Sequence, residues 1–197
     1  MAESRASILQ LDLGGSTVIP ADAQLIAIDM QRVFRDPDSV WCCTGFDAAL
    51  RNIERLATAV STPPIFTRFV RDPAEVGTWR EYYDRWPTTR LPPDNPAWEL
   101  EIGSLTASDT LDAPTFSKWG NELARLPITT PLILTGVATD CCVLGTALGA
   151  IDAGRKVIVV TDACAGGTDD AHIKALELLG LLDPLITLVT TDELLAQ

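Results

Sequence analysis

Histidine is nearly absent from this chain: of 197 residues only one, His172, is of that type. Structural zinc draws on Cys-x₂₋₄-Cys spacing with histidine partners, whereas here cysteines 42 and 43, and 141 and 142, are direct neighbours. A metal centre built from Cys and His is not expected, and no cofactor is implied. Cationic side chains are also scarce. Lys and Arg number 15 against 27 Asp and Glu, a formal charge of −12, and such a field repels phosphate backbones and anionic bilayers. Neither nucleic acid nor membrane is expected as a partner. No apolar run approaches the ~18 residues of a membrane span, and the opening "MAESRASILQLDL" lacks a basic segment followed by a continuous apolar one. Cytoplasmic location is the expectation. Cysteine is present in an odd number, five, in a chain too large to need staples, which fits reduced thiols better than a secreted disulfide framework.

What the chain does have is apolar residues, 47% of the total, enough for one substantial core and read as a single domain over residues 1–197. Short apolar runs at 25–29 (LIAID), 64–70 (PIFTRFV), 131–137 (PLILTGV), 156–163 (KVIVVTDA) and 185–189 (LITLV) read as strands buried on both faces. Between them, 46–60, 141–154 and 168–182 repeat apolar residues at three- and four-residue steps, the period of a helix. This alternation predicts βαβ units: an α/β three-layer sandwich, a doubly wound, mostly parallel sheet with helices on both faces. Gly154 is placed to end one helix, and Thr168 or Asp169 to cap the next. From 71 to 114 the pattern gives way to a Pro- and aromatic-rich excursion, too long for a plain connection and expected to cover the active site or an interface.

In open parallel sheets ligands bind beyond the carboxyl ends of the strands. Three polar residues fall there: Asp29 closes LIAID, Lys118 follows the β-like stretch LDAPTFSK, and Cys142 lies in the turn after LILTGV. Taken singly each has a plainer reading, as a cap, a surface lysine and a core thiol. Together they compose a chemistry: a thiol at a helix entrance, a carboxylate able to take and return its proton, and an ammonium to keep that carboxylate charged. His172, inside an amphipathic helix, is expected to pack or face solvent.

The segment GVATDCCVLGTALGAIDAG with KVIVVTDACAG, together with LIAIDMQRVF, resembles the cysteine-hydrolase branch of the isochorismatase-like superfamily, which includes nicotinamidases and N-carbamoylsarcosine amidohydrolases. The resemblance runs from about residue 24 to the C-terminus. It implies that Cys142, which precedes Val in the TDxCV motif, is the nucleophile, with Asp29 the general acid/base, Lys118 the third member and Cys141 at a variable position. It also implies a cis peptide between Val137 and Ala138, with backbone N–H groups of Ala138 and Cys142 forming an oxyanion hole.

The expected reaction is hydrolysis of a small molecule's amide, carbamoyl or ureido C–N bond through a thioester. The metal of many nicotinamidases is not expected here, since the first 171 residues hold no histidine. Phe34, Trp41 and Trp119 are the candidate substrate contacts. Trp79, Tyr82, Tyr83 and Trp86 are placed either in the pocket or in an interface, and Arg68, Arg71 or Arg80 is the candidate partner for a substrate carboxylate. A homodimer or homotetramer is expected by the same resemblance. Other readings are a vinyl-ether hydrolase of the isochorismatase type, a non-catalytic binding protein on the same fold, and a redox pair at Cys141–Cys142. A single fast-reacting, low-pKa cysteine is expected of the hydrolase.

Overall fold

The computed structural model describes residues 19–107, 110–120 and 122–196. The apolar runs become strands β1 (Gln24–Ile28), β2 (Ile65–Phe69), β4 (Leu132–Val137), β5 (Val157–Ala165) and β6 (Ile186–Val189), joined at one edge by β3 (Thr110–Ala113). All six are parallel, in the order β3-β2-β1-β4-β5-β6. Because successive strand residues point to opposite faces, Leu25 and Ala27 enter one core while Ile26 and Ile28 enter the other. Burial on both faces is why these runs are continuously apolar rather than alternating.

Helices α1 (Arg32–Arg35), α2 (Phe46–Ala59), α3 (Trp79–Arg85), α4 (Leu144–Asp152), α5 (Asp169–Gly180) and α6 (Thr191–Leu195) follow in chain order. On one side α2 presents Phe46, Ala49, Leu50, Ile53 and Leu56, spaced to form a single stripe, and α6 adds Leu194. On the other, Ala147 and Ala150 of α4 and Leu179 of α5 close the second core. Thr168 caps α5, its hydroxyl accepting the Ala171 N–H at 3.1 Å, and Gly154 has φ +78° just beyond α4.

Short helices α1 and α3 arise where no helix was expected, and the elements differ from expectation in three further places. The excursion contains β3, whose residues alternate between exposed and half-buried, so an edge strand of four residues lacks the apolar run that marks its neighbours. The helix expected from 141 begins at 144, preceded by a π-helical turn over Thr139–Val143, a form that recurs at functional sites. Helix α6 was not anticipated. Among the described residues, no helix is long and apolar enough to cross a membrane.

β1 is the first strand laid down at the centre, with β2 on one side and β4 on the other. The chain leaves β1 and β4 in opposite directions, which opens a crevice at their carboxyl ends. Gly136 makes that junction tight: at φ +105° its Cα faces the β1 backbone, and a Cβ there would lie on the Ile28 carbonyl oxygen and 2.6 Å from the Ile28 nitrogen. Gly136→Ala is therefore expected to lower stability by about 3 kcal/mol or more. Gly154→Ala, also left-handed but with open space around it, is expected to cost about 1 kcal/mol. Urea unfolding midpoints compare them; equal midpoints would contradict the packing described.

Candidate active site

Asp29 and the turn carrying Cys142 follow β1 and β4 directly and so flank the same crevice. Asp29 takes φ 51°, a left-handed conformation in which short polar residues are the most tolerated. Its side chain is wholly buried. Oδ1 accepts the Thr67 hydroxyl of β2 at 2.7 Å, and Oδ2 lies 2.9 Å from Lys118 Nζ. That ammonium, with 1% of its side chain exposed, also donates to the carbonyls of Thr115 at 2.6 Å and Phe116 at 3.4 Å, and sits 5.1 Å from the Phe69 ring centre. Lys118 is thus no surface residue. Asp29 Oδ2 meets Nζ off the hydrogen-bond line and has no aligned hydrogen-bond donor among the described residues.

Cys142 is 2% exposed and stands on the wall of a cavity. Burial pushes its pKa well up, the Asp29 charge pushes it further, and Lys118 opposes them. This direction runs against the expectation of a low-pKa cysteine: desolvation and a nearby carboxylate outweigh one ammonium.

The Val137–Ala138 peptide is cis. Ala138 O accepts the N–H groups of both Cys141 and Val143 at 3.1 Å, fixing the π turn, and Ala138 lines the cavity beside Cys142. Three side chains brace this turn. Thr139 Oγ1 pairs with His172 Nδ1 at 2.8 Å, Asp140 Oδ1 accepts the Gly167 N–H at 2.9 Å, and Thr146 donates to Cys142 O at 2.7 Å while accepting the Lys118 N–H at 2.9 Å. Thr146 therefore ties the lysine loop to the cysteine turn. Gly145 and Gly149 of α4 let that loop approach, since a Cβ on them would lie 3.3 Å from Ser117 N and 2.9 Å from Trp119 Cβ.

The cavity has a volume of about 290 Å³ and is walled mainly by aromatic rings: Phe34, Trp41, Phe69, Tyr82, Trp86 and Phe116. Phe34 and Trp41 stack at 6.0 Å. Two of the three expected substrate contacts, Phe34 and Trp41, are thus in the wall. Trp119 is not. It turns to the α4 side, packed on Gly149 and under the Arg155 guanidinium at 5.6 Å, because neighbours on the extended stretch around Lys118 point opposite ways. Arg68 and Arg71 do not face the cavity either: Arg68 forks onto Asp112 at 2.8 and 2.6 Å, and Arg71 meets Glu75 at 2.5 Å. Thr67 and Thr146 had no signal in the sequence beyond lying on buried elements.

Fold and site together define a three-layer α/β protein of isochorismatase-like type, with a cysteine, an aspartate and a lysine meeting at the central crevice. The isochorismatase domain model matches residues 23–193, and the chain belongs to that family. It is 29% identical over 162 residues to isochorismatase domain-containing protein 2 of Bos taurus, covering 82% of this chain and 69% of that one. A cysteine hydrolase from Pseudomonas syringae pv. phaseolicola superposes with TM-score 0.70 at 21% identity, over 90% of this chain and 92% of its own. Pyrazinamidase of Pyrococcus horikoshii, solved in complex with zinc, gives 0.65 at 24% identity over 86% and 99%. Among the described residues no three His, Cys, Asp or Glu side chains are grouped to hold a metal.

Alkylation by iodoacetamide, mapped by peptide mass, reads the thiol directly. In the wild type Cys142 is expected to react appreciably only above about pH 9, where an ordinary thiol has already ionised. Asp29→Asn removes the repelling charge and leaves Lys118 facing the sulfur, so the curve is expected to move to lower pH. An unchanged or higher curve would contradict the geometry.

Proposed function

We propose that this chain is a cysteine hydrolase that cleaves an amide, carbamoyl or ureido C–N bond of a small molecule through a thioester on Cys142. The observation carrying this reading is the thiol of Cys142 on a cavity wall, within reach of the charge of a buried carboxylate that is itself paired with Lys118 at 2.9 Å. A thiol is a weak nucleophile until its proton leaves, and Asp29 is placed to take it as sulfur approaches the carbonyl carbon. The C=O π bond becomes an oxyanion, received by the backbone N–H groups of Ala138 and Cys142. As the C–N bond breaks, Asp29 returns the proton to the departing nitrogen. Water then attacks the thioester with Asp29 as base, releasing the acid and restoring the thiol.

Lys118 has two roles in this scheme. It sets an opposite charge 2.9 Å from Asp29 in a dry site, and it balances the sulfur's charge when the proton moves. A vinyl-ether hydrolase would have no use for a cavity-wall thiol, and this favours the thioester route. The name of the pyrazinamidase neighbour points to the same bond class. For Cys141–Cys142 as a redox pair, the strain of a disulfide between adjacent residues is an obstacle.

Ammonia release across a panel of small primary amides tests the proposal. Cys142→Ala is expected to lower kcat by about 10⁴-fold or more, and pre-treatment with EDTA to change turnover by less than about twofold, since no step passes through a metal. Full turnover by the alanine variant, or its loss to the chelator, would remove the mechanism.

A further inference from the structure

Tyr82, on α3, reaches the cavity wall, its ring 5.9 Å from Trp41 and 5.7 Å from Phe116. Burial acts most strongly on its phenol, followed by the Cys141 and Cys142 thiols; all raise its pKa, and no hydrogen bond is among its influences. A neutral phenol therefore belongs to the same cavity wall as Cys142, among several flat rings. Three cations near the cavity are engaged elsewhere: Arg68 with Asp112, Arg71 with Glu75 and over the Tyr83 ring, and Lys118 with Asp29. Among the described residues no Lys, Arg or His lines the cavity, Arg80 included, whereas the acidic Asp140 does. A carboxylate entering here would lose hydration, face Asp140 and gain no counter-charge, a combination that costs several kcal/mol.

We propose that Tyr82 donates a hydrogen bond to a neutral acceptor on the substrate, and that the site takes uncharged, flat acyl groups while rejecting carboxylates. This inference rests on the hydrolase reading and gives it a substrate class. The carboxylate-binding role expected of Arg68, Arg71 or Arg80 is replaced by a neutral donor. A cavity at the small end of the range for ligand pockets suits a single ring.

Two readouts separate this inference from the reading beneath it. Binding is followed by tryptophan fluorescence in Cys142→Ala, and turnover by ammonia release in the wild type. The probes are benzamide, 3- and 4-methoxybenzamide, and 3- and 4-carboxybenzamide. Each carboxy probe is expected to bind at least about tenfold more weakly than its methoxy counterpart, and Asp140→Asn to narrow that gap several-fold. Adding Tyr82→Phe is expected to weaken the better methoxy probe by about tenfold and benzamide by less than about twofold. In turnover that loss falls on KM rather than kcat. Equal affinities for charged and neutral probes, binding by none, or indifference of all probes to Tyr82→Phe would overturn the inference. The expected pattern of binding without ammonia from any amide would overturn the hydrolase reading instead.

Discussion

The structure turns on a buried ion pair. Asp29 and Lys118 meet at 2.9 Å with 0% and 1% of their side chains exposed, in a place where either charge alone would be several kcal/mol unfavourable. The pair is tolerated because its remaining polar capacity is largely met. Thr67 donates to one carboxylate oxygen and the Thr115 and Phe116 carbonyls accept from the ammonium. The other carboxylate oxygen lacks an aligned partner, and its charge acts on the Cys142 thiol. A hydrophobic replacement of similar volume would be no worse for stability, so the pair is better understood through its effect on that thiol than as a staple.

Topology makes the meeting possible. Asp29 and Cys142 are separated by more than a hundred positions, yet β1 and β4 are neighbours in register from Gln24–Leu132 to Ile28–Gly136. Each strand therefore delivers its next residues to the same end of the sheet. Gly136 permits the close approach, and Thr146 joins the turn after β4 to the loop of Lys118. The aromatic excursion completes the enclosure with Tyr82 and Trp86, and Gln31 ties it down: its side chain accepts the Phe69 N–H at 2.8 Å and donates to Trp98 O at 2.8 Å.

Much of this was legible in the residues, for physical reasons that also explain what was not. Strands buried on both faces announce themselves as unbroken apolar runs, and the amphipathic stripes of α2 and α5 are periodic. Edge strand β3 is too short and too exposed for such a mark. Helix α6 did carry one, the capping box of Thr190 and Glu193, obscured by its brevity. Asp29, Lys118 and Cys142 were found by strand-end position and motif. The side on which Trp119 falls, and the engagement of Arg68 and Arg71 by acids of their own, depend on pairings that no local pattern encodes. The thiol's raised pKa is of the same kind, since its causes, burial first and then the Asp29 charge, arise only from tertiary packing.

Rapid acid quenching of the wild type during turnover of a primary amide, followed by peptide mass mapping, tests the central claim most directly. The account predicts the mass of the acyl group on the peptide containing Cys142, and its absence in Asp29→Asn, which has no acid to protonate the departing nitrogen. Acyl mass on another side chain, or ammonia release with no bound acyl group at any quench time, would contradict it.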